Sequence, residues 1–346
     1  MTQSWWRPDH LARRRDRLEA RGRILGAVRA FFAEAGFVEV DTPALQVSPG
    51  LEPHLQAFRT MLRDPLSGDT RTRYLHTSPE FAMKKLLAGG MEWIWQLAHV
   101  FRDGERSATH HPEFSMIEWY RAGASYTELM DDCEALLRRV QNAVGEASFT
   151  WRSENADTRK PWQRLTVAEA FELYAGVDLL ATLSEPEQPD AALLATAAAR
   201  AEVMPHPGDD WETLFFRIML DRIEPRLGIG APTILYDYPL PQAALSRRKP
   251  DDPRLAERFE LYVCGLELAN GFGELTDAAE QRARFEADQA KKQALYGETY
   301  PIDEEFLAAL EHGLPECAGI ALGFDRLVML ATGANDIEEV LWAPVR

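Results

Sequence analysis

Apolar residues recur at three- and four-residue steps from Leu11 to Ala35, through Ile24, Leu25, Val28, Phe31 and Phe32, which predicts an amphipathic helix stopped at Gly36. The period then shortens. Phe37 to Pro43 alternates apolar and polar positions like a strand, and its proline suits a strand end or edge. Strands are also predicted over Tyr74–Thr77, Trp93–Arg102 and Phe114–Arg121, the last two forming a hairpin with a long polar loop. Tyr126–Val144 reads as a helix, with Leu129, Leu136, Leu137 and Val140 in phase, and the Pro/Glu/Asp-rich stretch Ser184–Asp190 is a break. Residues 166–227 read as mostly helical, alanine-rich and without a catalytic-looking cluster, an insertion between parts of one sheet. The last third returns to strands at Thr233–Tyr238, Arg258–Cys264 and Leu266–Leu275, then helices at Ala278–Leu295 and Asp303–His312. A buried strand, Ala318–Gly323, passes into a helix over Asp325–Ala331. No internal repeat is seen.

At 346 residues and 46% hydrophobic, the chain fits one large catalytic core or two unequal domains. No apolar run is long enough to span a bilayer, and Met1–Arg15 carries charges without an apolar signal segment after it, so no membrane association and a cytoplasmic location are expected. Cys133, Cys264 and Cys317 lack the spacing of a disulfide framework or zinc site. A formal charge of -17 argues against sequence-independent nucleic-acid binding. One local exception is the cluster Arg13, Arg14, Arg15, Arg17, Arg21 and Arg23, which reads either as a receptor for an acidic partner or as a solvated helix face.

Three segments carry candidate chemistry. In Phe101-Arg102-Asp103-Gly104-Glu105, followed by His110-His111-Pro112-Glu113-Phe114, an arginine at a strand end can hold a phosphate and an aromatic can stack on a purine. A hairpin with a solvated arginine has the same sequence. In Gly265 to Leu275, Glu267 and Glu274 lie seven apart, so an unbroken strand would put them on opposite faces. A bulge or bend at Gly271 or Gly273 would turn Glu274 back toward Glu267, giving converging carboxylates that suit Mg²⁺. Two exposed hairpin glutamates are the alternative. In Gly319 to Leu327, small residues permit close approach of a ligand and Arg326 sits near a helix start, where it can contact a terminal phosphate or cover adenine; a capping Asp325 with a surface Arg326 competes with that.

In this order the segments resemble class II aminoacyl-tRNA synthetases, and within them the lysyl-tRNA synthetase branch, across most of the chain. Thr77-Ser78-Pro79-Glu80-Phe81, His110–Tyr120 and Glu267–Asp277 are most similar to the family of truncated paralogues that ligate (R)-β-lysine to elongation factor P. The resemblance implies an α+β fold, with a six-stranded, mainly antiparallel sheet flanked by helices, in a single catalytic domain over 1–346 that dimerises through its first helix and strand. It implies ATP and Mg²⁺ as cofactors. Arg102 and Arg326 would be the catalytic cations. Arg102, Asp103, Gly104, His111, Phe114, Glu267, Leu268, Gly323 and Arg326 would line the nucleotide site. Glu267 and Glu274 would hold the metal, and Ser78, Pro79, Glu80, Tyr120, Glu274 and Ala321 would line the amino-acid pocket.

Two positions depart from the lysyl-tRNA synthetase pattern. Gly104 stands where the motif has a glutamate, a role Glu105 would take over, and Ala321 replaces a glycine, adding a methyl group that would disfavour an α-amino acid relative to a β-amino acid. The helix of the first motif begins about ten residues into the chain, which leaves no room ahead of it for an anticodon-binding barrel. No tRNA partner is therefore expected, and the acceptor would be elongation factor P. The rivals are transfer of lysine to another acceptor, and a non-catalytic paralogue that binds an amino acid.

Overall fold

The computed structural model describes residues 5–346, so the first four residues of the charged start lie outside the described residues. The chain divides into two compact units. One comprises the chain up to Ala124 with Thr276–Cys317 and Ala321–Arg346; the other comprises Ser125–Leu275 with Ala318–Ile320. Eight strands belong to the main sheet where six were implied. The extra pairings are short and parallel. Val38–Glu39 lies beside Ile94 and Trp95, and Gln163–Thr166 runs along Thr233–Tyr236. The longer pairings are antiparallel, as implied.

In the first unit, helix Pro8–Glu34 turns Leu18, Ile24, Val28 and Phe32 inward, all buried at the spacing the sequence shows. Phe32 stacks on Trp95 at 4.6 Å and meets Phe37 and Trp119 edge-on, so the helix is fixed to the sheet by an aromatic cluster. The predicted strand over 37–43 shrinks to two residues. Val40 donates one further bond to the Trp95 carbonyl, and beyond it the chain leaves the ladder. Trp93–Phe101 and Glu113–Ala122 form the predicted hairpin, in unbroken register from Trp93 opposite Arg121 to Phe101 opposite Glu113.

A smaller sheet of Leu45–Gln46, Thr70–Leu75 and Arg59–Arg63 was read only in part, because Arg59–Arg63 is exposed at every position and shows no alternation. The arginine cluster also differs from both readings. Arg14 donates to the Glu338 and Trp342 carbonyls, Arg17 pairs with Glu339 at 2.9 Å, and Arg21 is buried against Asp325 and Ser115. Half of the cluster therefore serves the fold, and Asp325, which also accepts the Ser115 amide at 2.7 Å, is no helix cap.

In the second unit, helix Tyr126–Val144 has the predicted bounds, opened by a Ser125/Glu128 capping box and closed by Gly145 in the left-handed region. Residues 166–227 are helical over Val167–Ala175, Ala191–Arg200 and Trp211–Ile218, and Phe171, Trp211 and Phe215 stack within a core that reaches Leu235, Tyr238 and Tyr262. All three cysteines are buried and unpaired by disulfides. Among the described residues no helix is long and apolar enough to cross a membrane.

Candidate active site

The first unit holds an acidic pocket. Ser78 and Pro79 lead into helix Glu80–Ala88, and the Ser78 hydroxyl donates at 2.5 Å to Glu118, a buried carboxylate on the facing strand. The Tyr120 hydroxyl donates to the other Glu118 oxygen at 3.0 Å. Glu118 lies within the His110–Tyr120 stretch but was not singled out. Its two-residue spacing from Tyr120 on one strand, which puts both on the same face, was the available signal. Glu80 is met by Lys84 one turn later at 2.5 Å, a pairing whose lysine side chain is fully buried. Glu80 and Glu118, with the Ser78 and Tyr120 hydroxyls, give this part of the unit an acidic, polar lining.

The same unit gathers the nucleotide-side candidates. Arg102 lies over the Phe114 ring at 5.2 Å, its nearest carboxylate is Glu105 at 3.8 Å, and its Nε is buried without a hydrogen-bond partner. Glu105 thus stands beside Arg102. Gly104 has φ +80°, so a glutamate at that position of this backbone would be strained. Asp103 contributes its amide to the Gln56 carbonyl at 2.8 Å. Arg326 donates to His110 Nε2 at 2.8 Å and to the Thr109 carbonyl at 3.3 Å. Because arginine only donates, His110 Nε2 accepts and the ring is neutral with its proton on Nδ1, facing Ser107. Burial, then the Arg326 charge, holds the His110 pKa below the ordinary histidine value against the pull of Glu105.

His111 is held by the backbone on both sides. Its ring is buried, Nδ1 donates to the Glu113 carbonyl at 2.6 Å and Nε2 accepts the Val345 amide at 3.2 Å, so both ring nitrogens serve the fold. Phe114 and Ala321 pack on Ala98, Val100 and Met116, which puts the extra methyl of Ala321 on the same apolar patch as the Phe114 ring. Gly323 precedes helix Phe324–Thr332, and a Cβ there would meet the Arg326 side chain at ordinary contact distance.

The two remaining candidates, Glu267 and Glu274, belong to the second unit, with Leu268 buried between them. The register shifts at Leu268: Tyr262 faces Glu267 and Leu261 faces Ala269, so one residue is skipped. After that bulge Glu267, Asn270 and Phe272 share the face of Tyr262, Glu260 and Arg258, and alternation carries Glu274 to it. The expected bulge therefore exists, three residues earlier than the glycines suggested. Gly271 is needed because a Cβ would strike the Phe259 ring at 2.4 Å, and Gly273 because it would strike the Glu257 carboxylate, which is paired with Arg247.

On the Glu267 face, Glu260 accepts from Arg258 and from the Tyr262 hydroxyl, each at 2.6 Å. Glu224, at the end of the helical insertion, was missed. Burial, then the charges of Glu260 and Glu267, push its pKa up to about 7. The insertion is thus not chemically silent, but Glu224 opens a short helical turn, Glu224–Arg226, with no local pattern to mark it.

Among the described residues no three acidic, histidine or cysteine side chains converge as a ready-made metal cage. Glu267 and Glu274 share a face but stand about 20 Å apart at roughly 3.3 Å per residue of strand, so they do not converge on one ion; a single carboxylate such as Glu267 fits Mg²⁺ only together with phosphate oxygens and waters. Arg102, with an unused donor above an aromatic ring, fits a nucleotide phosphate and base.

In the first unit, an arginine over an aromatic and a second arginine at a strand-to-helix junction suit an enzyme that binds a nucleotide. The family model for class II tRNA synthetases (D, K and N) matches residues 9–346, and the chain belongs to that family. Within it, the chain is 41% identical over 344 residues to a Vibrio cholerae protein named elongation factor P–(R)-β-lysine ligase, covering 99% of each chain. Proteins of the same name from Vibrio vulnificus and Mannheimia succiniciproducens are 40% and 39% identical, over 95% of both chains for the first, and 94% of this chain and 93% of the relative for the second.

Proposed function

We propose that the chain is an ATP-dependent, AMP-forming ligase that activates (R)-β-lysine, or lysine, as an aminoacyl-adenylate and transfers it to a lysine ε-amino group of elongation factor P. The observation that carries this reading is near-complete, colinear identity of about two residues in five with ligases of that name. The site chemistry supports it. The substrate carboxylate attacks the α-phosphorus, pyrophosphate leaves, and the acceptor amine then displaces AMP from the acyl carbon and loses a proton. Positioning and charge compensation supply the catalysis, with no covalent enzyme nucleophile.

In this reading Arg102 holds the α-phosphate, Phe114 stacks on adenine, and Arg326, oriented by neutral His110, completes the phosphate contacts. Ser78, Glu80, Glu118 and Tyr120 receive the cationic end of the amino acid. Glu267 would contact Mg²⁺ bound to the phosphates, which neutralises phosphate charge when bound, and Glu274 would line the amino-acid pocket. The whole chain forms one catalytic domain in which 166–227 is an insertion. A homodimer is part of the proposal, supported by apolar residues Val38, Leu45, Val47, Met61, Leu62 and Trp93 that the first unit leaves exposed. The net charge of -17 supports a protein acceptor over tRNA, and a cytoplasmic setting supplies both ATP and the acceptor.

The test incubates the protein with ATP, Mg²⁺, (R)-β-lysine or lysine, and purified elongation factor P, and records the factor's intact mass. One added acyl group is expected, with (R)-β-lysine preferred. No ATP-dependent mass gain with either amino acid would overturn the acceptor assignment, while pyrophosphate release would still report adenylation.

A further inference from the structure

Two polar atoms that the adenylation scheme leaves unused line one small cavity in the first unit. Glu52 Oε2 and Ser48 Oγ are both buried with no hydrogen-bond partner, and Ser48 as a whole is 2% exposed. The cavity they share with Gly50, Thr77, Ser78 and Glu80 has about 10 Å³ open to a water-sized sphere. That is the size of one water or one primary ammonium group. The loop is built to keep the carboxylate there. Gly50 has φ +125°, and a Cβ at that position would meet Glu52 Oε2 at 2.6 Å and Thr77 Oγ1 at 2.9 Å. Lys292 holds the next turn through the Pro53 and Leu55 carbonyls at 3.1 and 2.6 Å.

A buried carboxylate oxygen and a buried hydroxyl without partners are costly unless a donor completes them. Lys84 already occupies Glu80 from the other side. Burial, then the Glu80 charge, pushes the Glu52 pKa up, and Arg102 is among the cations that pull it down. Glu52 therefore lies within electrostatic reach of the arginine that faces the reacting phosphate, and the Gln56–Asp103 bond ties its loop to that arginine's neighbour. Glu118, held by Ser78 and Tyr120, forms a separate acidic position.

Resting on the ligase reading, we propose that Glu52, with Ser48, is a specificity-determining residue that receives the substrate amino group nearest the reacting carboxylate, leaving the distal amine to Glu118. A β-amino acid places that amine one carbon farther from the carboxylate than an α-amino acid, so this pocket sets which isomer is held productively.

The experiment measures ATP–pyrophosphate exchange of the full chain with (R)-β-lysine for wild type, Glu52→Gln and Ser48→Ala. It also measures inhibition of that exchange by 6-aminohexanoic acid, which keeps the carboxylate and distal amine but lacks the amine at C3. For Glu52→Gln the KM for (R)-β-lysine is expected to rise about 10–100-fold while the inhibition constant of 6-aminohexanoic acid stays within about twofold, as loss of one charge-assisted hydrogen bond requires. Ser48→Ala should show a smaller rise with the same selectivity. Should Glu52→Gln fail to fold, judged by its melting curve, Glu52→Asp and Ser48→Ala carry the comparison. An unchanged KM overturns the proposal. So does an equal loss for both ligands together with a raised KM for ATP, which would make Glu52 a support for Arg102. Absence of exchange in the wild type, by contrast, would overturn the ligase reading itself.

Discussion

Arg102 and Arg258 have the same ingredients around them and opposite uses. Arg258, in the second unit, pairs with Glu260 at 2.6 Å, donates to the Gln242 carbonyl at 2.5 Å and to Asn270 at 3.3 Å, and lies over Tyr238 at 4.6 Å. Arg102, in the first unit, lies over Phe114 but has its carboxylate at 3.8 Å and a buried Nε without a partner. The first guanidinium is consumed by the fold; the second leaves a buried Nε unsatisfied, which is the kind of group that an incoming acceptor would complete.

Replacing each arginine tests that difference. Arg258→Ala should cost about 3–5 kcal/mol of stability, because it strands a buried Glu260, and a denaturant melt should show the loss. Arg102→Ala should instead leave the melt within about 1 kcal/mol of wild type and lower pyrophosphate exchange about 10²–10³-fold, as removal of a transition-state donor does. Equal stability losses in the two variants would erase the contrast.

Glu224→Gln sharpens it by pH. Its folded pKa of about 7 lies above the ordinary glutamate range, so below that range both folded and unfolded states are protonated and nothing is lost. As pH rises, the unfolded chain ionises first, and the wild type loses stability until pH passes about 7. The glutamine variant should therefore be level with wild type near pH 4 and more stable by about 1–2 kcal/mol near pH 8, allowing for partial exposure. A difference independent of pH would refute the charge crowding with Glu260 and Glu267. The smallest effect belongs to Glu105→Gln. At 3.8 Å its pairing with Arg102 should contribute under about 1 kcal/mol, read as a modest change in the KM for ATP.

The sequence by itself determined the elements and the family. Long amphipathic stretches such as Pro8–Glu34 and Tyr126–Val144, and the hairpin of Trp93–Phe101 with Glu113–Ala122, show their period because one face of each is buried. The family was legible for another reason: its motif stretches keep their residue types and order along the chain, and the family match runs over residues 9–346. Tertiary structure alone decided the rest. The exposed strand Arg59–Arg63 has no buried face to leave a pattern, and Val38–Glu39 is a strand only because Trp93–Phe101 offers it an edge. The bulge fell at Leu268, and Gly271 and Gly273 were spent on Phe259 and Glu257, neighbours that no local pattern reveals. His111 lost both ring nitrogens to the Glu113 carbonyl and the Val345 amide. Glu52, Glu118 and Glu224 became candidates only through what surrounds them, since burial and the number of partners left to a carboxylate are properties of packing.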